Sequence, residues 1–494
     1  MNYALKAYCL QNKYLGAEEI DKVKCASKSC ADSARSDRAV NLCLCLIYYF
    51  TMCDFLIKFM PPQIAEFLRY LPEMILYGGV IFLRDKKRNI TQFPLLLPLC
   101  VSLVSMAIST LLNAASQRMM LLDFYTDFRF VSFAFVLWNA SPTCNQMFGF
   151  IDKLLGLTII QVAIGAIELT GDGAMHVFRP VLGWDNGVAY ILSDKSENAG
   201  GWIYGTFSNY NHFGMFMVMS SLLAFYMYLV RHANRYLWIA FASSVSVIFS
   251  YSRHSLLALA TSSVFLACGY RRELYKALGK RNILNLAAGI IIVSLLCGPL
   301  MSPLQKRILS VTDASVLDGD HSENIRLFMI TALVPMFMNS YPLFGQGPFD
   351  PSEKTSLGES DTALGPTFKG AADVPGWATF YAGDVVWLMT LALYGCCGLV
   401  STVSVYLCII IASIRLSWNV SKEEHGELKL FSHVIAVLVG VVLLSGFFSQ
   451  EIIARDTIPT FWALCGFLLA IASQADAEVL VEKADLHFQR RIFA

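Results

Sequence analysis

Apolar residues in this chain gather into long runs separated by polar segments. The runs lie at about 39–58, 65–83, 93–112, 121–140, 150–169, 209–230, 236–251, 254–270, 283–301, 385–414, 430–449 and 457–473. A helix needs roughly 20 mostly apolar residues to cross the hydrocarbon core of a bilayer. Backbone polar groups must be satisfied within the segment there, so each run is read as a helix. The fourth run is the weakest, because it carries Asp123, Asp127 and Arg129. The seventh is short and can merge with the eighth. The expected fold is an all-α polytopic membrane protein with about twelve transmembrane helices.

Charge orients these helices. Lys and Arg concentrate in cytoplasmic loops. With the N-terminus inside, the inner loops hold Arg84, Lys86, Lys87 and Arg88, then Lys153, then Arg231 and Arg235. The cluster Arg271, Arg272, Lys276, Lys280 and Arg281 follows, and last Arg415, Lys422 and Lys429. Every strong cluster falls on one side, with both termini cytoplasmic. The expected organisation is a cytoplasmic tail at 1–38, helices one to nine over 39–301 with an outer loop at 170–208, a large outer loop at 302–384, helices ten to twelve over 385–473, and a second tail at 474–494. The large loop has a helical pattern near 322–339.

Composition agrees with a bilayer as solvent. Hydrophobic residues make up 56% of the chain and charged residues 15%, against roughly 25% charged in soluble domains. The mean hydropathy is +0.53. A formal net charge of +1 gives no basic excess for a nucleic-acid partner. None of the fourteen cysteines falls in 170–208 or 302–383, so no extracellular disulfide framework is expected. No spacing matches a metal site, no Gly-rich phosphate loop occurs, and no cofactor is implied. The start of the chain lacks the apolar core of a cleavable signal peptide.

Several arginines run against the charge rule by lying on the outer side: Arg118, Arg179, Arg253, Arg307, Arg326 and Arg455. An ionisable group at membrane depth is costly and marks a functional site by default. The planar guanidinium suits phosphate oxygens. The plainer alternatives are that Arg455 pairs with Glu451 or Asp456, and that Arg253 reaches the headgroups. Beside Arg253 stands Ser252. Asn211 and His212 open the sixth run from outside, where Ser208 or Asn209 can cap the helix. His321, Glu323 and Arg326 precede an apolar helix and the sequence Pro342-Leu343-Phe344-Gly345-Gln346-Gly347. Glu323 and Arg326 either form an i,i+3 pair or meet an anionic ligand and a sugar hydroxyl. Asp384 opens the tenth run, either complementing the helix dipole or accepting a proton.

Four elements in this order resemble the superfamily of O-antigen ligases and Wzy-type O-antigen polymerases. They are Phe-Ser-Asn-x-Asn at 207–211, Ser-Arg at 252–253, the segment from Arg326 to Pro-Leu-x-Gly-x-Gly ending at 347, and an acidic-to-double-glycine element at 384–398. The resemblance implies a GT-C-like, metal-independent, inverting glycosyltransferase of the outer face of the bacterial cytoplasmic membrane. Its donor and acceptor would be undecaprenyl-diphosphate-linked glycans, with a chain-length regulator as a further partner. The ligase branch typically has His where this chain has Asp384, which points to a polymerase. The alternative within the family is a ligase or O-oligosaccharyltransferase that moves glycan to lipid or protein.

On that reading Arg253 and Arg326, with Arg118 or Arg455, hold the diphosphate. Asp384 or Glu323 orients or deprotonates the acceptor hydroxyl. Asn211, His212, Ser252 and His321 line the substrate site, and the outer loop 345–383 covers it. A transporter is the competing class, but no half-to-half repeat is visible.

Overall fold

The structure, a computed structural model, describes residues 17–57, 60–84, 88–168, 181–185, 188–191, 203–207, 210–250, 252–270, 342–345, 347–348, 386–420, 426–446 and 454–492. These residues form the helices α1 (Ala17–Ile57), α2 (Pro62–Phe82), α3 (Leu96–Leu112), α4 (Gln117–Phe128), α5 (Val131–Ala140), α6 (Cys144–Glu168), α7 (Tyr210–Arg231), α8 (Asn234–Phe249), α9 (Arg253–Gly269), α10 (Val386–Asn419), α11 (Gly426–Ser445) and α12 (Ile458–Ile492). One antiparallel hairpin, β1 (Val181–Asp185) with β2 (Val188–Ile191), lies in the segment between α6 and α7. It is an exception to the all-helical expectation. Short hairpins pair their own backbone groups without needing the bundle.

The apolar runs fall on these helices, apart from 283–301, which lies outside the described residues. Five helices are long and apolar enough to cross a membrane: α6, α7, α10, α11 and the 458–476 portion of α12. The charged fourth run is broken. α4 ends at Arg129, and α5 begins after Phe130. α8 and α9 are separate helices, divided at 250–252 where the Ser252 side chain caps α9 by accepting from Ser255 N. At the two ends of the chain, α1 runs back through residues 17–38 and α12 runs on to Ile492, so helix extends into both expected tails.

Long-range bonds between helix ends sort into two sets. One set joins Ser36 to Gln146 at 2.9 Å, Lys153 to Asn41 at 3.4 Å, Arg235 to Asp152 at 3.2 Å and Asn419 to Asp476 at 2.7 Å. The other joins Ile203 N to Phe249 O at 3.4 Å, Trp387 N to Gly446 O at 3.3 Å and His212 to Asp456 at 3.0 Å. An alternating up-and-down bundle produces this separation, since successive helix ends return to the same level.

α7 and the membrane-length part of α12 are the most enclosed helices, each with 83% of its apolar window buried. α12 packs on α5 and α10, and α7 packs on α6, α8, α9 and α11. Large apolar side chains such as Phe213, Phe216, Trp462 and Phe467 are fully buried between them. Helices nearer the rim present apolar residues outward instead, among them Leu97, Leu111, Ile81, Phe82 and Val400. An apolar exterior on a bundle with an apolar core is what a lipid solvent requires. Cys43, Cys45, Cys53, Cys100, Cys144, Cys396, Cys397, Cys408 and Cys465 are free thiols.

Candidate functional site

The turn ahead of α7 is fastened from below by α6. Glu168, only 2% exposed, accepts from Tyr204 N and Gly205 N, both at 2.9 Å. Gln161, one helical face earlier, accepts from Thr206 N at 3.0 Å and donates to Thr206 Oγ1 at 2.7 Å. Thr206 Oγ1 in turn donates to Thr51 O on α1. Gly205 has φ +58°, and a Cβ there would stand 2.6 Å from Gln161 Oε1. Buried backbone donors need partners, and here two side chains of one helix supply them. The result is a fixed direction for the first turn of α7.

That turn buries both Asn211 and His212. His212 Nδ1 lies 3.0 Å from a carboxylate oxygen of Asp456, itself 2% exposed. Thr457 Oγ1 donates to His212 O at 3.2 Å, which ties the start of α12 to the start of α7. Asp456 is therefore the partner of His212 rather than of Arg455. Against the same turn lies the junction of α8 and α9. A Cβ on Gly214 would fall 2.6 Å from Ser255 Oγ and 2.9 Å from Ser250 Oγ, so only hydrogen fits between them. Ser252 Oγ is bonded to Ser255 Oγ at 2.7 Å and lies 3.2 Å from His254 Nε2. Arg253 is the first residue of α9 and is half-buried. A cation at a helix N-terminus opposes the dipole, so this placement does nothing for the helix itself.

The strongest electrostatic feature involves Arg455 and an acid that sequence reading passed over. Arg455 Nη2 lies 2.8 Å from Glu73 Oε1 and also donates to Arg69 O. Arg129 Nη1 approaches the same Glu73 oxygen at 3.5 Å. Tyr125 donates to the other oxygen, Oε2. Glu73 is 3% exposed. The two guanidiniums also stack on rings, Arg455 over Tyr70 at 5.2 Å and Arg129 over Phe130 at 4.7 Å. The expectation that Arg455 pairs with Asp456 is thus corrected; Glu451 lies outside the described residues. A buried carboxylate is expensive without close counter-charge, and two arginines from α4 and the α12 approach provide it. Asp127 interacts electrostatically with Arg129 on the same stretch.

Two of the sequence elements meet at a break in α10. Gly395 has φ 66°, ψ −167°, and interrupts the helix. Into the gap fit residues 342–345 and Gly347. Cys396 N and Cys397 N donate to Pro342 O and Leu343 O at 3.0 Å each, and Gly347 N donates to Leu393 O at 2.7 Å. A Cβ on Gly345 would stand 2.5 Å from Leu393 C, and one on Gly395 would stand 2.4 Å from Leu343 C. Ser109 and Asn113 of α3 complete the join, donating to Leu393 O at 2.9 Å and Gly345 O at 3.0 Å. Tyr394, beside the break, donates to Asp123 at 2.5 Å. The break therefore leads back to the helix that carries Arg129.

Of the expected site residues, Asn211, His212, Ser252, Arg253 and Arg455 stand at one end of the bundle. Arg118 is exposed on the first turn of α4, close after Asn113 and Ala115, against which Gly347 packs. Asp384, Glu323, Arg326 and His321 lie outside the described residues, as do Arg179, Arg307, Ser208, Asn209 and the covering loop over 349–383. Sequence reading missed Glu73, Glu168, Gln161 and Asp456 as organising groups. The signal was present for Glu73 and Glu168, since each is an acid inside a mainly apolar run. Among the described residues no group of three or more acidic, His or Cys side chains is placed to hold a metal.

A family model described as O-antigen ligase matches residues 238–368. The matched segment begins in α8, takes in Ser252 and Arg253, and reaches past Gly347. No curated protein matches the chain.

Proposed function

With residues 238–368 matching a family model described as O-antigen ligase in support, we propose that the chain is a glycosyltransferase that polymerises undecaprenyl-diphosphate-linked repeat units. The reaction takes place on the outer face of the bacterial cytoplasmic membrane. In this reading the bundle has about twelve spans of GT-C-like arrangement, with both termini inside and 302–384 outside. The carrying observation is the close approach of Gly214, on the turn that bears Asn211 and His212, to Ser250 and Ser255, which flank Ser252 and Arg253, at the same end of the bundle as the Arg455–Glu73–Arg129 cluster.

Arg253 and Arg326, with Arg118 or Arg455, hold the donor diphosphate. The acceptor hydroxyl oxygen attacks the anomeric carbon. The bond from that carbon to the diphosphate oxygen breaks, and undecaprenyl diphosphate leaves with the electron pair. Guanidiniums fixed beforehand stabilise the developing charge without reorganisation. The hydroxyl proton passes to Asp384 or Glu323. Direct displacement inverts the anomeric centre, and no metal enters the scheme. Exclusion of water by the outer loop limits hydrolysis.

The ligase or O-oligosaccharyltransferase reading is favoured by the description of the matched model, and the polymerase reading by Asp384. Purified protein supplied with a lipid-linked donor separates them by acceptor. A second lipid-linked unit gives a ladder if the chain is a polymerase. Glycan on a core lipid or on protein instead identifies the transferase. Loss of product in Arg253→Ala and Arg326→Ala is expected, and full activity in both would remove the diphosphate clamp.

A further inference from the structure

The hydrogen bonds around Gly395 show what the break in α10 replaces. In an unbroken α-helix Cys397 N would donate to Leu393 O and Cys396 N to Ala392 O, four residues back. In the structure both donate instead to Leu343 O and Pro342 O. Leu393 O accepts from Gly347 N at 2.7 Å and from Ser109 Oγ at 2.9 Å. The inserted segment thus takes over groups that α10 could satisfy by itself. If it withdrew, Cys397 N could return to Leu393 O, so the backbone donors of α10 have partners in either arrangement. Pro342 and Leu343 are already exposed, and α3, which holds the join through Ser109 and Asn113, ends at Leu112. The carbonyls released by withdrawal would therefore face the rim of the bundle, where water can take them.

Two glycines suit both arrangements. Gly395 has φ 66° in the break, and glycine takes that value or a helical one without steric cost. A Cβ on Gly398 would overlap Tyr394 Cβ. Residues four apart in an unbroken helix hold their Cβ atoms about 5–6 Å apart, so this overlap belongs to the broken form alone. We propose that α10 is a two-state element, broken while residues 342–345 and Gly347 are seated in it and continuous when they withdraw. In the broken form the outer piece, 386–394, is held by Trp387 Nε1 donating to Leu443 O at 2.7 Å and by Tyr394 donating to Asp123 at 2.5 Å. Straightening at Gly395 redirects that piece relative to 396–419. The consequence for turnover rests on the proposed function. The outer piece follows Asp384 in the chain, and the seated segment follows Arg326. Seating joins the two stretches that carry the proposed proton and diphosphate groups, and withdrawal parts them once in each cycle.

The test uses full-length protein in lipid nanodiscs, in a background lacking native cysteines. Spin labels at Leu343→Cys and Lys153→Cys, at opposite ends of the bundle, report the segment's position by pulsed electron–electron resonance. Two distances are expected. Gly398→Ala should shift the populations toward the longer one by about tenfold, since the added methyl opposes the broken form and favours the helical one. Gly440→Ala, on α11 with open space around the new Cβ, should leave them unchanged. Gly345→Ala, whose Cβ meets Leu393 when seated, gives the same shift from the segment's side should Gly398→Ala fail to fold. A single distance that neither variant alters overturns the proposal. For turnover, Cys396, which is exposed, is retained and joined to Leu343→Cys by a cleavable bis-maleimide. Steady-state glycan transfer should fall by about tenfold or more when linked, the withdrawn population being removed, and return on cleavage. Undiminished transfer by the linked protein would mean that the break stays fixed during catalysis, and overturns the proposal as well. If unaltered protein transfers no glycan to any acceptor, the enzymatic reading fails, while the label distances still judge the two states.

Discussion

Glu73 shows how much one side chain can organise in a lipid-facing bundle. Its two carboxylate oxygens receive Arg455, Arg129 and Tyr125 from segments far apart in the chain. Glu73→Gln keeps the shape and removes the charge, leaving two guanidiniums facing each other in a buried site. Breaking such a pair costs about 3–5 kcal/mol. A large fall in the thermal unfolding midpoint in detergent is expected. Adding Arg129→Met to Glu73→Gln should restore part of the loss, because the repulsion goes with the second charge; a double-mutant cycle measures that coupling. His212 and Asp456 form a second unit. If they act together, Asp456→Asn and His212→Gln each lower glycan transfer, and the double variant is no worse than the poorer single. Strictly additive losses would mean that the two act separately. The sequence displayed Arg455 and His212 as out of place, yet their partners could not be read from it. Glu73 is 382 positions from Arg455, and nothing local in either segment announces the other.

At the scale of elements, hydropathy located most of the helices but not how they end. The run at 121–140 breaks at Arg129–Phe130, where charged and aromatic side chains turn toward α2 and the α12 approach rather than toward lipid. Likewise, the double-glycine pattern at 395–398 marked a motif without revealing that Gly395 interrupts α10. That break exists because 342–347 supplies carbonyls to Cys396 N and Cys397 N, donors that a helix start leaves unmatched. Sequence order had set these two elements side by side in a motif series, and the structure gives the reason as direct backbone pairing. Gly345→Ala or Gly395→Ala places a Cβ against the opposing backbone in a left-handed conformation. Backbone strain alone costs about 1–3 kcal/mol. Lower unfolding midpoints are expected for both. Their combination should fall short of the sum, since one contact is lost twice.

For the whole molecule, the two sets of helix-end contacts carry the orientation question. Leu343, 60% exposed beside the α10 break, belongs with the ends assigned outside, and exposed Lys153 with those assigned inside. In a background lacking native cysteines, Leu343→Cys should react with a membrane-impermeant maleimide in intact cells. Lys153→Cys should react only after permeabilisation. The reverse pattern would put the proposed active end in the cytosol and end the glycan-transfer reading. The side assignment that this labelling tests comes from charge distribution, because the strong Lys and Arg clusters fall in alternate loops. The hairpin at 181–191 was not legible in the same way, since polar loop sequence carries no hydropathy signal.

The Arg455–Glu73 contact also has a bearing on biogenesis. A ribosome delivers Glu73 and Arg129 to the translocon long before Arg455 emerges. Until then Glu73 has only Arg129, at 3.5 Å, and Tyr125 for partners among lipid tails, without its shortest ion pair. Nascent bundle halves should therefore linger beside the insertion machinery or a membrane chaperone until the segment ahead of α12 arrives and adds the tighter contact.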